Sequence, residues 1–293
     1  MWPLLQIELL KIFRKPRTYI SFGAIALMVI IIQIALKSDG QSYIEFIVGS
    51  LKDSLDIPYT HILNGYFVCF VILNLLLIHI PLLIALVAGD SVAGEANMGT
   101  LRLIASKPVS RTGLMLAKFF ATVIYTALLL IWLAFVALLL SILLFSTNDI
   151  LIARNDALEI IRSNDVLWRY AAAFAFATLA LTTVAALAFL LSVFADNSIG
   201  PIVSTISIVI IFTILSEMQI PLYDRTIKPF LFTSHMLAWK GFFYSKVDAG
   251  GAAISGTVEN IRAIAKSCGI LVLYIVGFVS AAIYVFNRKD ILS

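Results

Sequence analysis

An all-α integral membrane domain of six transmembrane helices is predicted by three observations: the composition, the number of long apolar runs, and the placement of basic residues between them. Hydrophobic residues make up 61% of the 293-residue chain and charged residues 13%, with a mean hydropathy of +1.01. Soluble domains carry about 25% charged residues and cannot hide this much apolar surface. Residues 1–293 have room for roughly six spans of about 20 residues with their loops, so a single transmembrane domain is expected and no separate soluble one.

The first element is residues 1–16. On a helix, Trp2, Leu5, Leu9, Leu10, Ile12 and Phe13 share one broad face, and Glu8, Lys11, Arg14 and Lys15 the other. That pattern predicts an interfacial amphipathic helix, ended by Pro16 before the chain turns into the membrane. Gln6, Glu8 and Lys11 interrupt its apolar part and no small-residue cleavage site follows, so a signal peptide is not expected.

Apolar runs then follow at Tyr19–Leu36, Ile62–Ala88, Leu114–Phe145, Val166–Phe194, Ile199–Leu215 and Ile264–Phe286. The second and third exceed what a bilayer needs and should tilt or project beyond it. Pro81 predicts a kink in the second. Cys69 and Cys268 both fall in apolar stretches and read as small buried hydrophobes, not as a disulfide or metal site.

Basic residues orient the spans. The ends and the turns after spans two and four hold ten basic and five acidic residues, whereas the other side holds eleven and twelve over longer loops. The basic side is therefore expected to be cytoplasmic, with both termini on it. Net charge, +4 and dispersed, does not argue for nucleic acid. The extracytoplasmic segments are expected at about 37–61, 146–165 and 217–263. In the last, Pro229-Phe230-Leu231-Phe232 and Met236-Leu237-Ala238-Trp239 predict short helices that re-enter the outer leaflet or cap the domain, and Gly250-Gly251 a flexible turn.

Residues 89–113 are the most informative cytoplasmic segment. They sit between the two longest runs and contain Asp90, Glu95, Gly99-Thr100-Leu101, Arg102, Pro108 and Arg111, with Lys118 just beyond. Gly99-Thr100 allows a break between two short helices, and Pro108 with Ser110 a turn and a cap. Asp90 and Glu95 are too far from any His or Cys to suggest a metal site.

On Asp90, Glu95, Gly99-Thr100-Leu101, Pro108, Arg111 and Lys118, and on the ending Phe286-Asn287-Arg288-Lys289-Asp290, the chain resembles the membrane subunits of ATP-binding-cassette exporters of the type-2 permease kind, which have the type V exporter fold. The resemblance implies that Asp90–Leu103 is a coupling helix docking in a cleft of an ATPase subunit. Glu95 and Arg102 would be polar contacts, Gly99 and Thr100 would shape the bend, and the N-terminal helix would rest against that subunit. Asp196, in the turn Ala195-Asp196-Asn197-Ser198, would be a second contact. It also implies that two permease subunits, identical or related, meet along the translocation path. ATP and Mg would be bound by the partner ATPase, with no cofactor and no catalytic residue on this chain, which has no GxxxxGK[ST] segment.

Polar residues within the spans mark a possible substrate path: Asn74 and His79 in the second, Thr178, Thr182 and Thr183 in the fourth. Small and hydroxylated residues along Ala171–Ala188 suit close helix packing, including a dimer interface. Two rival classes make different predictions. A secondary transporter or channel would show inverted repeats or paired intramembrane charges. A membrane-embedded enzyme would cluster His, Asp or Glu at one depth, whereas His61, His79 and His235 are scattered.

Overall fold

The computed structural model describes residues 2–48, 62–100, 110–154, 157–218, 226–246 and 253–289. Its α-helices are α1 (Trp2–Arg14), α2 (Pro16–Val48), α3 (Gly65–Ala88), α4 (Ala93–Asn97), α5 (Arg111–Leu144), α6 (Val166–Phe194), α7 (Ile199–Glu217), α8 (Phe232–Met236) and α9 (Ile261–Arg288). Six of these, α2, α3, α5, α6, α7 and α9, are long and apolar enough to cross a membrane, as expected.

Local chemistry sets their ends. Pro16 opens α2, where its missing N–H costs nothing. Asn64 caps α3 by accepting a hydrogen bond from the Phe67 amide at 3.0 Å, and Ser110 caps α5 through the Gly113 amide at 3.1 Å. Gly99 follows α4 at φ +67°, in the left-handed region, where that helix ends; the second short helix expected beyond it lies outside the described residues. α3 continues as helix through Pro81.

The helix α6 is the axis of the bundle. Every position from Ala180 to Leu187 is buried, as are Ala188 and Phe189, and its alanines let α3, α5, α7 and α9 approach closely. The dimer-interface role considered for Ala171–Ala188 is thereby excluded over Ala180–Ala188: that surface is covered by the chain's own helices. Inside the bundle, polar groups pair across helices. The buried Gln33 amide of α2 donates to Ser141 Oγ of α5 at 3.0 Å, and the Trp132 indole donates to the Phe22 carbonyl at 3.0 Å. α7 and α9 are the least covered spans and present Ile199, Ile214, Leu273 and Val276 outward, which suits lipid or another apolar subunit.

Both chain ends lie at one end of the bundle, where Arg111 donates to the carbonyls of Asn287 and Lys289. At the opposite end stand two features. One is an antiparallel hairpin, β1 (Ile150–Arg154) and β2 (Ala157–Ile161), with Ile150 facing Ile161 and Ile152 facing Glu159. It stands in the segment 146–165, for which the sequence reading predicts no secondary structure. The other is a cap of short helices, α8 between 3₁₀ turns at Lys228–Phe230 and Leu237–Phe243, buried through Phe232, Trp239 and Phe243. The short helices predicted for 217–263 therefore form; Gly250-Gly251 lies outside the described residues.

One orientation differs from the sequence reading. On α1, Glu8 is buried, whereas Trp2 and Leu10 are more than half exposed. Glu8 and Lys11 of its charged face turn into the protein while Arg14 stays exposed, and part of its apolar face is turned out.

Candidate functional site

The reason for that reversal is a ring of charge. Lys11 Nζ lies 2.7 Å from Glu8 Oε1 and 2.7 Å from Glu95 Oε1; Lys118 Nζ lies 2.9 Å from Glu8 Oε2 and 2.7 Å from Glu95 Oε2. Each lysine thus bridges both carboxylates, and each carboxylate uses one oxygen per lysine. The ring is neutral. It joins α1, α4 and α5, and Lys118, which is 1% exposed, donates additionally to the Ser91 carbonyl at 3.2 Å. A buried lysine about 10 Å along a membrane helix would be prohibitive alone. Two carboxylates and a carbonyl offset its desolvation. Burial pulls the Lys11 ammonium down, but hydrogen bonds and charge from Glu8 and Glu95 outweigh this and hold it above the usual lysine value.

A second cluster lies beside the first. Asp90, after α3, is paired with Lys15 at 2.6 Å and with Arg17, and its other oxygen accepts from the Ser198 hydroxyl. Asp90 therefore ties the start of α2 to the turn between α6 and α7. Gly94 faces it so closely that an added Cβ would collide with the Asp90 carboxylate. The Thr100 hydroxyl folds back on the Glu95 carbonyl at 3.3 Å.

Asp90, Glu95, Gly99 and Thr100 are thus brought to one place, but not in the manner expected of Glu95. Its carboxylate, anticipated as a polar contact with a partner, is 5% exposed and ion-paired within the chain to Lys11 and Lys118. Arg102 lies outside the described residues, as does Asp290 of the C-terminal motif. Asp196 stands at the same end with its side chain 90% exposed, reached by Lys289 Nζ at 3.3 Å. Such an exposed pair contributes little stability.

The intramembrane polar residues do not converge. Asn74 lines a cavity between α3, α6, α7 and the cap. His79 lies on an exposed strip of α3 with Leu75 and Ile78, its Nδ1 2.7 Å from the Leu75 carbonyl. Thr182 is buried and donates to the Thr178 carbonyl at 2.7 Å, within its own helix.

Sequence reasoning missed two groups. Glu8 enters the sequence reading only as part of the charged face of the N-terminal helix and Lys118 only within the family pattern, although a lysine four residues past the start of an apolar run signals a buried partner. Arg169, fully buried, was passed over inside the fourth run. It pairs with Asp165 at 2.7 Å and donates to Phe242 O at 2.6 Å, Thr257 O at 2.9 Å and Ser245 Oγ at 3.0 Å, fastening the cap to the start of α6. Its signal was the Asp165–Arg169 spacing of four.

Six helices long and apolar enough to cross a membrane, with the N-terminal helix locked onto the turn after the second of them, define a multi-pass membrane protein. Residues 2–291 match the family described as ABC-2 family transporter protein, and the chain belongs to that family as an ABC-2 type permease. No curated protein matches it.

Proposed function

We propose that this chain is the transmembrane subunit of an ATP-driven exporter, forming the path with a second permease subunit and receiving force from separate ATPase subunits. Family membership supports the permease role and association with ATP-binding chains. The observation that carries the coupling reading is the pair of ionic clusters, because they make α1, the turn at Asp90, α4 and the start of α5 one mechanical unit. A push on the exposed tip beyond Glu95, at Met98–Thr100, is then delivered to α2, α3 and α5 together. Asp90 and Glu95 act in this scheme as positioning residues. Asp196 and Arg102 are the direct contacts to the ATPase.

The orientation that follows places the clusters and both termini in the cytoplasm, in the cell membrane, with the cap re-entering the far leaflet. The uncovered faces of α3 and α7 are where the second permease would meet this one, and His79 on that strip would border the path.

Co-expression with a cognate ATPase tests the scheme. The wild-type chain is expected to retain the ATPase through purification and to modulate its turnover. Gly99→Pro, which cannot adopt φ +67°, should insert normally yet lose that modulation. Transport by the chain alone, without nucleotide, would refute the proposal.

A further inference from the structure

The cavity noted at Asn74 has a make-up that packing does not explain. It holds about 70 Å³, several times the roughly 10–15 Å³ that seats one water. Its walls are apolar: Leu77, Ile78, Ala177, Leu181, Val209 and Met236. Deep in it, Asn74 offers an amide that no described residue hydrogen-bonds, and Pro81 leaves the Leu77 carbonyl without its helical donor. At its mouth, toward the end opposite the termini, stand Lys240 and Glu217. Ser216 and Thr233, also in the lining, already satisfy each other at 2.7 Å.

Lys240 and Glu217 are the informative pair. Both line the cavity, yet neither hydrogen-bonds the other or another described residue. Burial pulls the Lys240 ammonium below the usual lysine value, and the Glu217 charge only partly opposes this. A cation and an anion lining one cavity offer a partner to each half of a zwitterion, and half-buried Lys240 gains most from a group that supplies the missing hydrogen bonds.

We propose that this cavity binds a single-chain zwitterionic amphiphile from the leaflet opposite the termini. The anionic group of the head pairs with Lys240 and its ammonium with Glu217; the alkyl chain lies along Leu77, Ile78, Ala177 and Leu181 toward Asn74. The site belongs to one protomer and needs no second subunit. It rests on the membrane fold and not on ATP-driven transport, because binding is read without nucleotide.

Native mass spectrometry of the full chain in a non-ionic maltoside detergent tests this, with lysophosphatidylethanolamine, lysophosphatidylglycerol and a monoacylglycerol of equal chain length as probes. The zwitterionic probe should bind saturably, one per chain, and at least fivefold tighter than either of the others. Lys240→Gln and Glu217→Gln, both at the mouth, should each weaken it several-fold with unchanged thermal stability. Ile78→Trp, filling the cavity from its partly exposed wall, should weaken all three probes. Equal retention of the neutral probe, tighter binding of the anionic one, or indifference to both mouth substitutions would overturn the assignment.

Discussion

Lys118 is the residue on which most depends at the terminal end, since its ammonium serves Glu8, Glu95 and the Ser91 carbonyl at once. Lys118→Met strands two buried carboxylates on Lys11 alone and is expected to cost about 3–5 kcal/mol, read as a lowered melting midpoint in detergent. Replacing the whole ring with apolar residues, Glu8→Leu, Lys11→Leu, Glu95→Leu and Lys118→Met, should be far milder than the single change, because no charge is left uncompensated. A single change more damaging than the quadruple one is the signature of a closed ring; the reverse order would mean that the four groups act independently. Gly94→Ala probes the neighbouring cluster without touching charge. Its Cβ would push the Asp90 carboxylate from Lys15 and Ser198, so a loss of about 1–3 kcal/mol is expected, measured the same way.

Among elements, α1 and the cap carry the least expected arrangements. The helix α1 is amphipathic as read, but its charged face finds better partners in α4 and α5 than in water, which leaves Trp2 and Leu10 outward. In vesicles containing brominated lipids, Trp2 fluorescence should be strongly quenched, by comparison with a Trp2→Phe variant; equal quenching of the two would place α1 away from the bilayer. The cap hangs on Arg169, whose guanidinium donates to the carboxylate, two carbonyls and hydroxyl around it. Arg169→Met should release the cap before the bundle, seen as faster tryptic cleavage at Lys240 and Lys246 with the helical circular dichroism unchanged. The hairpin is held to the same cap, since Glu159 accepts from the Ser245 amide.

For the whole molecule, the proposed orientation is open to direct labelling. A single cysteine at Arg14 should resist a membrane-impermeant maleimide in intact cells, whereas one at Lys246 should react; reversal of the pair would invert the assignment. α6 supplies the rigidity that such a bundle needs to transmit force. It is enclosed by α3, α5, α7 and α9, so a displacement of the terminal-end unit moves helices against a common axis.

Hydropathy and spacing made the six spans, the helix end at Gly99 and the cap at Ser110 legible, because burial in a bilayer and helix-end chemistry act over a few neighbouring residues. The hairpin had a local signal too, Asn155-Asp156 between two strand-like runs, which the reading of 146–165 as an extracytoplasmic segment does not use. The candidate site was half legible: Asp90, Glu95 and Gly99 could be singled out along the chain, but not the direction in which the carboxylates point. By itself the sequence determined that this is a six-span membrane domain whose excess of basic over acidic residues lies at one end. Only the tertiary structure decided that those charges close on one another, joining Glu8 to Lys118 across 110 residues, because an ion pair forms by distance in space and desolvation penalises any buried charge left without one.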